Sequence, residues 1–283
     1  RTGEKVALET IRAAAKALNV KPEQVLPAST CVIGVEMDGS KIVKALPGLV
    51  ASLDAAKFDA AAPTGDATLD VPALLRQLGV PEGAPVLVAG STHAGEEVLL
   101  AEMCRRLRAR FPQLFLVLVP RHFERTAAVV EELRPTKTRL ALRTELADGA
   151  VRSDIDCLLV NTTGELRHFY RHATVVFVGK SLSAKGGQNP IEPGALGKAM
   201  VFGPHMENFR PIAADFVASD GAVQVPDAAA LETALADLLA NEARRAQLGE
   251  NALRVVQRNQ GAAERTAEMI AAQLRDRDAL VPH

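Results

Sequence analysis

The chain has 283 residues, 48% hydrophobic and 24% charged, with a formal net charge of -1. That balance fits a globular protein with a substantial core, in one large domain or two ordinary ones, and argues against disorder. It leaves no global positive excess to draw nucleic acid or an anionic membrane, and no basic run supplies a local one.

Residues Lys5 to Leu18 read as an Ala-rich helix, Val25 to Val35 as an extended segment, Asp38-Gly39 as a turn and Ile42 to Leu53 as a second helix. The small, turn-prone stretch Ala60 to Asp66 places a boundary after residue 62, giving a small α+β segment (1–62) and a larger domain (63–283). From about Pro85 onward, short β-rich apolar runs alternate with helical stretches, as in a parallel sheet covered by helices.

Val86 to Ala89 is a predicted strand, followed by a helix with Leu99, Met103 and Leu107 on one face. Leu114 to Val119 is a second strand, stopped at Pro120, and the next helix carries Val129, Val130 and Leu133 before Pro135 closes it. Cys157 to Val160, Val175 to Val178 and Ala199 to Phe202 are further candidate buried strands. Beyond Pro226 the chain reads as helical, with Asp227 as N-cap, an apolar stripe of Leu231, Leu235, Leu238 and Leu239, and breaks expected at Asn241 and Gly249. No internal repeat is visible.

Cys31, Cys104 and Cys157 are distant and odd in number, which speaks against a disulfide framework or thiolate metal site and suits a reducing cytosol. The apolar runs are strand-length, and no signal peptide is visible, so membrane contact is expected to be peripheral.

Five polar segments follow predicted strands, where open α/β sheets bind ligands. The richest, Gly179 to Pro193, offers Gly186 and Gly187 for close backbone approach to a phosphate, Ser181 for a hydroxyl and Glu192 for ribose hydroxyls. An ordinary strand-to-helix turn is the alternative. In Gly90 to Glu97, Ser91 or Thr92 can cap a helix, and Glu96 and Glu97 suit its dipole; His93 has no capping purpose. Arg121 in Pro120-Arg121-His122 can pair bidentately with phosphate or carboxylate, or be merely solvated. Gly164-Glu165-Leu166 offers another helix start, and Gly203 to Phe209 another strand-end turn. Together they suit one cleft along one sheet edge. His93, His122 and His205 are scattered and no paired Cys/His or Asp-x-Asp motif accompanies them, so no metal site is expected.

In order and approximate spacing, these five runs resemble the C-terminal half of bacterial 3-deoxy-D-manno-octulosonic acid (Kdo) transferases, over about residues 63 to 275. The resemblance implies a Rossmann-like GT-B glycosyltransferase domain that binds CMP-Kdo with neither metal nor other cofactor. Arg121 and His122 match the family's Pro-Arg-His donor site, Gly164 and Glu165 its Gly-Glu-Leu turn, and Asn189 and Glu192 its Asn-x-x-Glu nucleotide contacts. Ser181, Gly186 and Gly187 match its phosphate-side loop, and Ser91, Thr92 and His93 complete the donor-binding set. Gln188 stands where members often have His, and Lys180 where Gly is common.

The complete family enzyme also has an N-terminal domain with a membrane anchor, the lipid A precursor site and a glutamate general base, which inverting transfer needs beside the acceptor hydroxyl. Nothing here matches that domain, so no catalytic residue is identified, and transfer to lipid A precursor is expected only with an acceptor domain supplied. Residues 1 to about 60 instead resemble part of the bifunctional glutamate N-acetyltransferase and ornithine acetyltransferase, through Arg12 to Leu18 and Val25 to Gly34. Cys31 replaces a glycine of that family's oxyanion stretch and its Thr nucleophile segment is missing, so acetyl transfer is not expected. The expected location is cytoplasmic, peripheral to the inner membrane in the full enzyme. The competing readings are a non-catalytic fusion or truncation remnant that binds nucleotide at most, and an epimerase of UDP-sugars on the same fold.

Overall fold

The computed structural model describes residues 2–18, 21–22, 43–44, 69–146 and 151–259. Two units are distinguished, Arg1–Ala67 and Thr68–His283. In the first, helix α1 (Thr2–Leu18) contains the predicted Ala-rich helix and buries Ala14 and Ala15. Cys31, the predicted extended segment Val25 to Val35, the Asp38-Gly39 turn and most of the predicted helix Ile42 to Leu53 lie outside the described residues.

The second unit is built on the alternation of buried side chains in its strands. In β1 (Val86–Thr92), Val86 and Val88 enter one core while Leu87 and Ala89 enter another. In β2 (Phe115–Pro120), Val117 and Val119 join the first core, Leu116 and Leu118 the second. A strand apolar on both faces must be covered on both, and here helices do so. The remaining strands are β3 (Leu140–Leu142), β4 (Cys157–Leu159), β5 (Val175–Val178), β6 (Met200–Phe202) and β7 (Val223–Gln224). All pair in parallel, in the order β3-β4-β2-β1-β5-β6-β7.

The helices are α2 (Val71–Gln77), α3 (Glu96–Leu107), α4 (Thr126–Leu133), α5 (Leu166–Arg171), α6 (Ile191–Ala195), α7 (Arg210–Ala218), α8 (Ala228–Ala240) and α9 (Glu242–Asn259). Residues of α3, α4 and α8 (Leu100, Val129, Leu231) fill the second core and those of α5 and α7 (Tyr170, Phe216) the first, while α9 gives Leu248 to the second and Val255 to the first. The connections therefore change face where the chain stops adding strands beside β2 and begins adding them beside β5. That reversal puts the topological switch point between the carboxyl ends of β1 and β5.

Several sequence expectations are corrected. The first strand runs three residues past Ala89, because Thr92 pairs with Pro120 across an irregularity after Gly90. Ser91 and Thr92 are thus strand residues and do not cap α3, whose N-cap is Gly95 at φ 89° with no side-chain cap. Gly249 does not break the C-terminal helix: a side chain there would sit 2.0 Å from Gly197 O, so glycine serves close packing inside α9. Asn241 does separate α8 from α9, and Asp227 caps α8 by accepting from Ala230 N–H at 2.8 Å. Strands β3 and β7 were not expected: they are the two edge strands, only partly buried, and neither lies in an apolar run of four residues as β4 and β6 do.

A candidate functional site at the sheet's switch point

The ends of β1, β2 and β5 bring together residues distant in sequence. His93, just past β1, stands edge to face against His122, past β2, with ring centroids 5.7 Å apart. On its other side the Gln188 amide lies 3.5 Å from His93 Nε2. Burial, followed by the positive charges of Lys180, His122, Arg125 and Arg121, lowers the His93 pKa from 6.5 to about 4. The imidazole is therefore neutral at pH 7, and Gln188 Nε2 can donate to it. Arg121 and His122 are exposed, and Arg121 N–H donates to Thr92 O at 3.0 Å, fixing where β2 ends.

The loop after β5 folds against the loop after β6. Gly186 and Gly187 take φ of 118° and 68°, which side chains resist. A Cβ on Gly187 would lie 2.6 Å from Met206 Sδ and 2.9 Å from His205 O, so this glycine allows one loop onto the other. Gly186 N–H donates to Glu207 Oε2 at 2.7 Å and Gly187 N–H to Lys180 O at 2.9 Å. Hydrogen bonds from Glu207's own backbone and from Gly186 hold its carboxyl below the usual range. Asn189 Oδ1 accepts from Ile191 N–H at 3.0 Å and its Nδ2 donates to Glu192 Oε1 at 3.1 Å, which orients an exposed carboxylate at the start of α6. Burial, then the charge of Glu192, pushes the Tyr170 phenol above its ordinary range. Tyr170 packs on Gly90 of β1.

Other predicted residues are placed differently. The buried Thr92 hydroxyl donates to Glu97 Oε1 at 3.0 Å, and Arg125 Nη1 donates to the same oxygen at 3.0 Å. Burial raises the Glu97 pKa, against the opposing pull of its backbone hydrogen bond and Arg125. Ser181 is fully buried; its hydroxyl donates to Val178 O and accepts from Gly203 N–H at 2.9 Å, leaving no proton for a ligand. Ser91 is half-buried at φ 54°. Gly164 and Glu165 lie past β4, two strands from β1, and Glu165 is engaged by Arg143 at 3.0 Å and by the Thr162 hydroxyl at 2.6 Å.

Glu96, Arg125, Lys180 and Gln188 join this region without having been selected as site residues. Lys180 takes a left-handed φ of 54°, which gives glycine at this position a backbone rationale. Among the described residues no group of three or more His, Cys, Asp or Glu side chains could hold a metal, and no helix is long and apolar enough to cross a membrane. A groove of about 680 Å3 lined by Val98, Leu99, Met103 and Ala228 lies between α3 and α8, and none of the predicted site residues lines it.

Known proteins resemble this chain over much of its length. A 3-deoxy-D-manno-octulosonic acid transferase of Haemophilus influenzae is 34% identical over 187 residues, covering 66% of this chain and 43% of that protein. Its counterpart in Bordetella pertussis is 34% identical over 237 residues, covering 82% of this chain and 54% of that protein. This chain is a homologue of the Kdo transferases. It spans about half the length of these relatives. The Bordetella match covers more residues than 63–283 contain, so the similarity reaches into the stretch before residue 63.

Among solved structures, the C-terminal CMP-Kdo binding domain of WaaA from Acinetobacter baumannii is 29% identical, with a TM-score of 0.59 over 65% of this chain and 94% of that one. A trehalose 6-phosphate synthase of Burkholderia multivorans, 18% identical with a TM-score of 0.51, covers 76% of this chain and 47% of its own and shares the fold alone. The expected Rossmann-like GT-B architecture is thus the one observed. No family model matches the chain.

Proposed function

We propose that this chain is the donor-binding half of a Kdo transferase and holds CMP-Kdo at the switch point. The observation that carries this reading is the convergence of His93, Arg121, His122, Lys180 and Gln188 around the ends of β1, β2 and β5. Anionic ligands in open α/β sheets dock at this place. Arg121 and Lys180 supply charge for the phosphate and Kdo carboxylate. Gly186 and Gly187 shape the loop, and Glu192, oriented by Asn189, accepts from the ribose hydroxyls.

Thr92 and Ser181 support the site from beneath, since their hydroxyls are committed within the protein. Ser91, Gly164 and Glu165 enter the donor set by resemblance alone, Gly164 and Glu165 lying past β4 and two strands from β1. The proposed chemistry uses neither metal nor other cofactor, and its location is the cytoplasmic side of the inner membrane. Transfer to lipid A precursor requires an acceptor half with its general base. For residues 1–62 the resemblance supports an acetyltransferase-like fragment, without the nucleophile that acetyl transfer would need.

Calorimetric titration of the folded chain with CMP tests the donor reading: saturable binding is expected, with UMP weaker. A flat titration at millimolar CMP refutes it. Expression in cells lacking their own Kdo transferase tests competence: no rescue is expected from this chain alone, and rescue would overturn the need for an acceptor half.

A further inference from the structure

Glycine-rich loops after strands commonly leave backbone N–H groups open to a ligand's phosphate. Here those groups are already occupied. Lys180 N–H donates to Glu96 Oε2 at 2.8 Å, and the next two, of Ser181 and Leu182, donate to Oε1 at 3.1 Å each. His93 N–H, from the β1 loop, donates to Oε2 at 3.0 Å. Glu96 is fully buried as the first residue of α3. The left-handed φ of 54° at Lys180 helps turn three successive N–H groups to one side, forming a concavity for an anion. One carboxylate thus binds both lips of the switch point, and Glu207 takes the Gly186 N–H beyond it.

We propose that Glu96 is a built-in anion and a positioning residue: it fills the backbone hollow of the β5 loop, so that the donor's charged groups are met by the side chains of His93, Arg121, His122 and Lys180. This rests on the reading of the switch point as the donor site. The hollow's four donors come from the two loops that carry His93, Lys180 and Gln188, so its filling fixes their spacing. A ligand phosphate placed there would have to displace a carboxylate held by its own helix.

The test uses the full chain, labelled with 15N. Glu96→Gly leaves a space that formate can enter. The amide resonances of His93, Lys180, Ser181 and Leu182 are expected to move in this variant and to return saturably toward wild type with formate, which leaves the wild-type amides unmoved. CMP affinity is expected to fall about tenfold or more, the scale of losing charge-assisted hydrogen bonds, and to recover with formate. Should Glu96→Gly not fold, Glu96→Gln keeps the volume but turns one oxygen into an N–H group facing N–H donors. The same amides should then move, with CMP affinity about tenfold weaker. Wild-type CMP affinity in a folded variant, or amides in Glu96→Gly that ignore formate, would overturn the proposal. The formate response needs no donor. It therefore stands or falls separately from the donor reading, which fails if the wild type itself does not bind CMP.

Discussion

Replacing Gly90 by alanine should destabilise the second unit through one contact. A Cβ there would lie 1.9 Å from Tyr170 Oη, 2.6 Å from Cζ and 2.9 Å from Cε1. Tyr170 is 2% exposed and packed in the core with Phe169, so its ring cannot swing into solvent. Gly90 has no left-handed φ, so on backbone grounds alone alanine would stabilise by about 0.4–1 kcal/mol. Forcing a methyl into packed surroundings costs about 1–3 kcal/mol, and a 1.9 Å overlap belongs at the upper end. The net loss is about 2 kcal/mol, a fall in Tm of roughly 4–8 °C for a unit of this size. Tyr170→Phe removes the closest atom but leaves Cζ at 2.6 Å, so it should relieve part of the loss. Urea unfolding followed by circular dichroism, in a double-mutant cycle, should return a coupling of about 1 kcal/mol. A Gly90→Ala variant within about 0.5 kcal/mol of wild type, uncoupled from Tyr170→Phe, would refute the packing argument.

Arg121→Ala should weaken CMP binding about tenfold to a hundredfold, as loss of a charge-assisted hydrogen bond does, with unchanged unfolding; equal affinity by calorimetry would remove Arg121 from the site. Glu192→Ala should weaken it about tenfold with the fold intact, and an unaltered Kd would refute the ribose contact. His93 should titrate near 4, and Lys180→Gln should raise that value by removing a neighbouring charge; an NMR titration near 6.5 would contradict the described surroundings. Because the folded His93 pKa lies below the unfolded one, the unfolded chain takes up the proton first as pH falls. Its contribution is complete above about pH 6.5 and lost toward pH 4, about 1–2 kcal/mol after solvent screening of a half-exposed ring. Denaturation of His93→Gln should lack that component.

The sheet was legible because its central strands are apolar on both faces, a pattern that Val86 to Ala89, Leu114 to Val119 and Val175 to Val178 carry without help from context. β3 and β7 were not, because these edge strands are only partly buried and lack the four-residue apolar runs that gave away β4 and β6. The strand-end motifs fall at the carboxyl edge of the sheet, where the rings of His93 and His122 meet past β1 and β2. What single positions did not reveal was the direction of each hydroxyl and carboxyl. Thr92 and Ser181 look like ligand groups in sequence yet turn inward, while Glu96, read as a dipole partner at a helix start, reaches across to a loop 84 residues away. Such choices depend on which backbone groups lack partners after folding. Gly249 misled for a related reason: the residue that ends many helices here admits a neighbouring backbone.

Mapping CMP-induced amide shifts onto the full chain tests the central claim most directly. Binding at the switch point predicts that Arg121, Gly186 and Glu192 shift together, with one common dissociation constant, while residues lining the groove between α3 and α8 stay still. Saturable shifts confined to that groove, or no shifts from folded protein at millimolar CMP, would contradict it.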